Sequence, residues 1–151
     1  MKKLIVIALF IIVGNLASAQ SYYYKSKYER PATFQVAPTY FNYKGGLVGY
    51  QIGINIKEVF NVSYFHTRNY VFGERFMDDR FAGIHTSLVF PVSESMQVGP
   101  AVRFATYNAE FEKVFFAIEA RLDLNESWKI GFEYGKGAQK GFGMKFIWNM
   151  Y

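Results

Sequence analysis

The stretch GFGMKFIWNMY, Gly141 to Tyr151, decides how this sequence is read. Phe142, Met144, Phe146, Trp148 and Met150 fall on one side of an extended chain, and Gly143, Lys145 and Asn149 fall on the other. A two-residue period is that of a β-strand with one apolar face, so the question is which solvent that face meets.

Working back toward the N-terminus, the same pattern recurs. From Thr33 the chain reads TFQVAPTYFNY, LVGYQIGINI, FNVSYFHT, FAGIHTSLVFPV, MQVGPAVRFATY, VFFAIEARLDL, WKIGFEYG and then the closing run. These are eight segments rich in aromatic and β-branched residues, separated by Gly, Asn, Ser and charged residues, and none carries a 3.6-residue period. The chain is therefore expected to be all-β. Its apolar phase stays on even numbers, from Phe34 and Val36 through Ile52, Tyr64, Ile84, Phe104, Ile118 and Ile130 to Met150. Keeping one parity through antiparallel hairpins requires connections with an odd number of residues. Ile56-KEV-Phe60, Val92-SES-Met96 and Leu124-NES-Trp128 meet that requirement. As the second, fourth and sixth connections, they share one end of an up-and-down sheet. The other end carries Lys44 to Gly46, the long segment Asn69 to Arg80, Asn108 to Lys113, and Gly135 to Lys140.

Tight turns at one end and longer loops at the other, on an even number of strands, predict an eight-stranded antiparallel up-and-down barrel over residues 33–151. The alternation alone fits a soluble barrel as well as a membrane one. Two further patterns favour an apolar face turned outward to lipid. Gly49, Gly53, Gly83, Gly99, Gly131, Gly135 and Gly143 are all odd, on the polar face, where missing side chains suit a narrow lumen. Arg103, Glu119, Arg121, Asp123, Lys129, Glu133 and Lys145 are odd as well, and a basic residue facing the bilayer midplane would cost about 2–4 kcal/mol. Strands of roughly ten residues tilted by about 45° span about 23 Å, close to an outer-membrane apolar band. Tyr40, Tyr64, Tyr134 and Phe142 on the loop side, with Phe34, Phe60, Trp128 and Trp148 on the turn side, suit two interfacial girdles.

The first twenty residues, MKKLIVIALFIIVGNLASAQ, have the layout of a secretory signal peptide cleaved after Ala19: two lysines, the apolar run Leu4 to Val13, and small residues. Residues 1–19 are expected to be that leader and residues 20–32 a periplasmic segment. Of 17 basic residues, losing Lys2 and Lys3 leaves 15 against 12 acidic ones, an excess too small and too dispersed for a nucleic-acid surface. There is no cysteine, so neither a disulfide framework nor a lipoprotein anchor is available. Two histidines without ligand spacing give no metal signal, and no cofactor is expected.

The signal peptide, the eight amphipathic strands, the short turns and the terminal aromatic residue together resemble the small eight-stranded outer-membrane barrels typified by the transmembrane domain of OmpA and by OmpX. The resemblance implies an outer-membrane location in a Gram-negative bacterium, both termini periplasmic, with outer-membrane lipid and the barrel-insertion machinery as partners. One departure concerns the end of the chain. In that family the final aromatic shares its phase with apolar residues two, four and six positions earlier, which here are Asn149, Ile147 and Lys145. Phe146, Trp148, Met150 and Tyr151 are the candidate insertion signal, with Trp148 and Met150 in the better phase.

The NES turn sets Asp123 opposite Lys129 and Glu119 opposite Glu133. Two opposed carboxylates need cations beside them, so Arg103, Glu119, Arg121, Asp123, Lys129, Glu133 and Lys145 are expected to form a buried ionic network in a closed lumen. That reading makes the protein structural, or an accessory subunit of a larger outer-membrane complex, and not an enzyme. Two alternatives stand beside it. His85 and Ser87 form an H-x-S motif similar to that of lipid A deacylases, which are also eight-stranded barrels, although no catalytic acid is identifiable. A secreted soluble barrel binding an apolar ligand is the other. Phe72, Arg75, Phe76 and Met77, in the longest loop, are the candidates for an outward-facing contact.

Overall fold

The computed structural model describes residues 32–69 and 79–150. The expected leader, nearly all of the segment 20–32, the loop residues Phe72, Arg75, Phe76 and Met77, and Tyr151 lie outside the described residues. The long strands are β1 (Ala32–Asn42), β2 (Gly46–Ile56), β3 (Phe60–Arg68), β4 (Arg80–Leu88), β5 (Met96–Tyr107), β6 (Phe115–Asp123), β7 (Trp128–Lys136) and β8 (Lys140–Met150). Each pairs antiparallel with the next, and β1 pairs with β8, so the sheet closes into an eight-stranded up-and-down barrel. Closure leaves no edge whose N–H and C=O groups would need another partner.

The three short turns fix the register. Val59 N donates to Ile56 O at 3.1 Å, Val92 N to Met96 O at 2.9 Å and Leu124 N to Trp128 O at 2.9 Å. The parity set there holds around the whole barrel. Phe34, Ile54, Tyr64, Ile84, Phe104, Ile118 and Phe146 are all exposed on the outer wall, while the odd residues between them point inward and are mostly buried.

Two details differ from the sequence reading. The run FAGIHTSLVFPV does not pair as one unbroken strand: the β4–β5 ladder stops after Ser87 and Ala101 and resumes as a two-residue piece at Phe90 and Pro91. In the gap, Leu88 falls opposite Pro100, which has no N–H to give, and Val89 N donates instead to Val59 O at 2.9 Å. The second detail is the connection from Asn108 to Lys113, which is partly a ladder. Asn108 and Ala109, both with positive φ, turn the chain tightly, and Glu110 and Phe111 pair back onto Tyr107 and Thr106.

Most of the odd-numbered glycines serve the backbone more than the lumen volume. A Cβ on Gly49, Gly83, Gly99 or Gly135 would lie within about 2 Å of a carbonyl oxygen on the adjacent strand, respectively that of His66, Phe104, Leu88 and Phe116. The sheet coils so tightly at these points that the neighbouring main chain occupies the side-chain position. Gly131 is different, because there a Cβ would come closest to the flexible stem of Lys145, at 2.8 Å, and then to the end of the Ile147 side chain at 3.4 Å, with no main-chain atom among its nearest neighbours. Gly135→Ala should therefore destabilise the barrel by about 1–3 kcal/mol, and Gly131→Ala by clearly less. Denaturant unfolding of both variants in detergent checks the order; equal costs would refute the backbone explanation.

Candidate functional site

The lumen is the candidate site, and its contents follow from the odd positions of all eight strands. They sort into three layers. At the loop end, Phe41, Tyr43, Leu47, Phe65, Phe81 and Phe115 form an aromatic plug in which no member is more than 1% exposed. Phe41 stacks on Phe81 with centroids 5.5 Å apart and meets Phe115 edge-on at 5.3 Å. Just outside the plug, Lys44 Nζ donates to the Glu112 carboxylate, a bond that raises the lysine pKa above its ordinary value, and lies 4.6 Å from the Tyr107 ring centroid.

The middle layer is ionic. Arg103 on β5 grips Glu133 on β7 with two hydrogen bonds, Nε to Oε1 at 2.9 Å and Nη2 to Oε2 at 2.5 Å. Its guanidinium lies between the Phe41 and Phe65 rings, 4.6 and 4.4 Å from their centroids, which ties the ionic layer to the plug above it. Arg121 Nε donates to Glu119 Oε1 at 2.5 Å, and Lys145 Nζ lies 2.8 Å from the same oxygen. His85 on β4 stands between the two carboxylates, with Nε2 3.1 Å from Glu119 Oε2 and 3.6 Å from Glu133 Oε2. The carboxylates are opposed as the register predicts, and three cations face them from β5, β6 and β8. Such a pair is tolerable in a low-dielectric interior only because each carboxylate has a cation beside it, Arg121 and Lys145 at Glu119 Oε1 and Arg103 at both oxygens of Glu133.

Toward the turn end the lumen becomes a chain of amides and hydroxyls. Gln51 Nε2 donates to Ser63 Oγ, Ser63 Oγ to Asn61 Oδ1, Asn61 Nδ2 to Gln35 Oε1, and Gln35 Nε2 to Asn149 Oδ1, over distances of 2.6–3.1 Å. At this end Lys129 Nζ lies 3.1 Å from both Asp123 Oδ1 and Glu58 Oε2. Glu58 belongs to the β2–β3 turn, held with Lys57 in the left-handed region, and its side chain reaches across the mouth to β7.

The seven charged residues expected to form one network are thus sorted into two groups of ion pairs. Arg103, Glu119, Arg121, Glu133 and Lys145 make the central cluster, joined by His85, while Asp123 and Lys129 sit at the turn end with Glu58. The lumen is not filled with charge throughout, because its loop end is aromatic. Arg121 sits with Glu119, and Glu133 belongs to Arg103. Ser87 accepts from Arg121 Nη2 at 2.9 Å, whereas His85 Nδ1 lies 3.2 Å from Gln51 Nε2 and 3.4 Å from Ser63 Oγ. Sequence reasoning missed the plug, although Phe41, Phe65, Phe81 and Phe115 carry the inward parity. It also missed Glu58, which stands in a turn where parity says nothing about direction.

Among the described residues, three hollows lie on the outer wall. One of about 340 Å³ sits at the β1–β8 seam beside Pro38, Tyr40, Val48, Met144 and Phe146. The ladder there has a gap between the Val36–Trp148 and Thr39–Lys145 pairs, where Pro38 supplies no N–H. Among the described residues no helix is long and apolar enough to cross a membrane.

No family model matches the chain, and no curated protein matches it either. Solved structures do. A chain from the de novo design of transmembrane β-barrels aligns with a TM-score of 0.63 at 12% identity, over 81% of this chain and 98% of the designed one. This chain has the fold of a transmembrane β-barrel. Ail, the attachment invasion locus protein of Yersinia pestis, solved in complex with the heparin analogue sucrose octasulfate, aligns with a TM-score of 0.43 at 15% identity, over 79% of this chain and 97% of Ail.

Glu133→Ala leaves Arg103 buried at 1% exposure without its partner and should cost about 3–5 kcal/mol. The paired change Arg103→Met with Glu133→Leu should recover most of that loss, since neither charge is then left uncompensated. Unfolding midpoints of the three proteins in detergent measure both effects.

Proposed function

We propose that the protein is an integral outer-membrane barrel of a Gram-negative bacterium, of the small kind to which the OmpA transmembrane domain and OmpX belong, with both termini periplasmic. It serves as a structural element or as an accessory subunit of a larger outer-membrane assembly and performs no catalysis. The observation that carries this reading is the sealed lumen. Arg103, Glu119, Arg121 and Glu133 are at most 2% exposed and lie beneath an aromatic plug of the same burial. A lumen packed in this way gives a solute no path and a substrate no approach to His85. The outer wall of Phe, Ile, Val and Tyr side chains supports a lipid environment, where burial of apolar surface replaces an internal core.

The lipid-modifying alternative would need His85 and Ser87 to meet a substrate, yet both are buried and engaged with lumen partners. A soluble carrier of an apolar ligand would need an apolar cavity, and the interior is instead aromatic, ionic and amide-filled. Phe146, Trp148 and Met150 remain the proposed signal for the insertion machinery: Trp148 and Met150 lie on the outer wall, paired with Val36 and Phe34 of β1.

Expression in a Gram-negative host should place the protein in the outer-membrane fraction, with unheated samples migrating faster on a gel than boiled ones. Reconstituted into planar bilayers it should give no stable channel. Recovery as a soluble periplasmic protein, or a steady ohmic conductance, would reject the reading.

A further inference from the structure

One part of the outer wall differs from the rest. On β6 and β7, Phe116, Ile118 and Tyr134 are 63, 65 and 59% exposed, against 36–54% for the other exposed large apolar residues of the eight strands. They line a groove of about 360 Å³ whose upper rim is formed by Lys136 and Lys140. A second hollow of about 240 Å³ shares Ile118 and Tyr134 and continues along the wall past Ala120, whose small side chain stands opposite Phe132. The result is an apolar track with two cations at its loop end.

Those cations are placed against each other. Lys136 and Lys140 are directly opposed across the β7–β8 ladder, both even-numbered, both outward and both exposed. Among the described residues neither has a carboxylate within ion-pair distance. Like charges directly opposite in a sheet repel, and an anion between them turns that repulsion into attraction. The matching occupant carries negative charge at one end and hydrocarbon at the other, and the lysines stand at the strand ends, the depth of a headgroup.

We propose that this sector of the wall, the β6–β8 face at the loop end, is a binding site for an anionic, phosphate-bearing membrane lipid. Lys136 and Lys140 hold the phosphate, and an acyl chain lies along Phe116, Ile118 and Tyr134. The proposal rests on the membrane-barrel reading and goes beyond it, because a generic lipid-facing wall has no reason to prefer one headgroup.

The test uses the barrel folded in detergent, with folding checked by heat-modifiable migration, and native mass spectrometry in mixed micelles holding equal amounts of dimyristoylphosphatidylglycerol and dimyristoylphosphatidylcholine. The wild type should retain the phosphatidylglycerol at least about tenfold over the phosphatidylcholine. Lys136→Gln with Lys140→Gln should abolish the preference, while Phe116→Ala with Ile118→Ala should weaken retention of both lipids and leave the preference in place. A folded barrel with equal retention, or a lysine double variant that keeps the preference, overturns the site alone. Displacement of the lipid by inorganic phosphate at equal concentration would make the ligand a soluble anion and overturn the lipid assignment. A chain with no heat-shifted form overturns the membrane-barrel reading and the site together.

Discussion

Side chains on a β-strand alternate with a period of two, and every connection in this barrel must respect that alternation, because a single-residue slip would turn a strand inside out. A slipped β6 would put Glu119 and Arg121 into hydrocarbon and Phe116 and Ile118 into the ionic layer. The three short turns meet the constraint with odd lengths, and the longer connections meet it without a common form. The distribution of glycine, charge and aromatic residues depends on that parity, since each type is placed by the face on which it falls.

Parity is also why so much of the fold was legible in the sequence. The phase of the apolar residues can be read directly, and from one turn, Leu124-NES-Trp128, the opposition of Glu119 to Glu133 and of Asp123 to Lys129 follows by counting. What could not be counted depended on reach across the lumen. Arg103 takes Glu133 because its side chain spans the gap from β5 to β7 while braced by Phe41 and Phe65, and no ladder pairs those two strands. Glu58 reaches β7 from a turn, outside any alternating pattern. The aromatic plug was written in the odd phase but looked like ordinary strand composition. The role of Gly49 or Gly135 depended on how tightly the sheet coils, which is a property of the closed barrel and not of any single strand.

The two mid-strand prolines show how the barrel tolerates local exceptions. Pro38 and Pro100 both face outward, and each leaves a gap in one ladder while the ladder on its other side continues through Tyr50 or Ile118. At Pro100 the loss is partly offset by Val89 turning to Val59. A closed sheet can give up a bond in this way because each strand still has a second neighbour holding its register.

The central ion cluster draws its members from five strands: His85 from β4, Arg103 from β5, Glu119 and Arg121 from β6, Glu133 from β7 and Lys145 from β8. The β7–β8 hairpin is balanced only in number, since Glu133 and Lys145 find their partners, Arg103 and Glu119, on β5 and β6. The β6–β7 hairpin alone brings two carboxylates face to face with one arginine, and the β4–β5 hairpin carries a cation with no acid. An intermediate that entered the bilayer strand by strand would expose these groups to hydrocarbon before their partners arrived, at a cost that grows with each unpaired charge. The cluster is thus fully paired only when β4 to β8 stand together, so its charges belong to the closed barrel and to no smaller part of it.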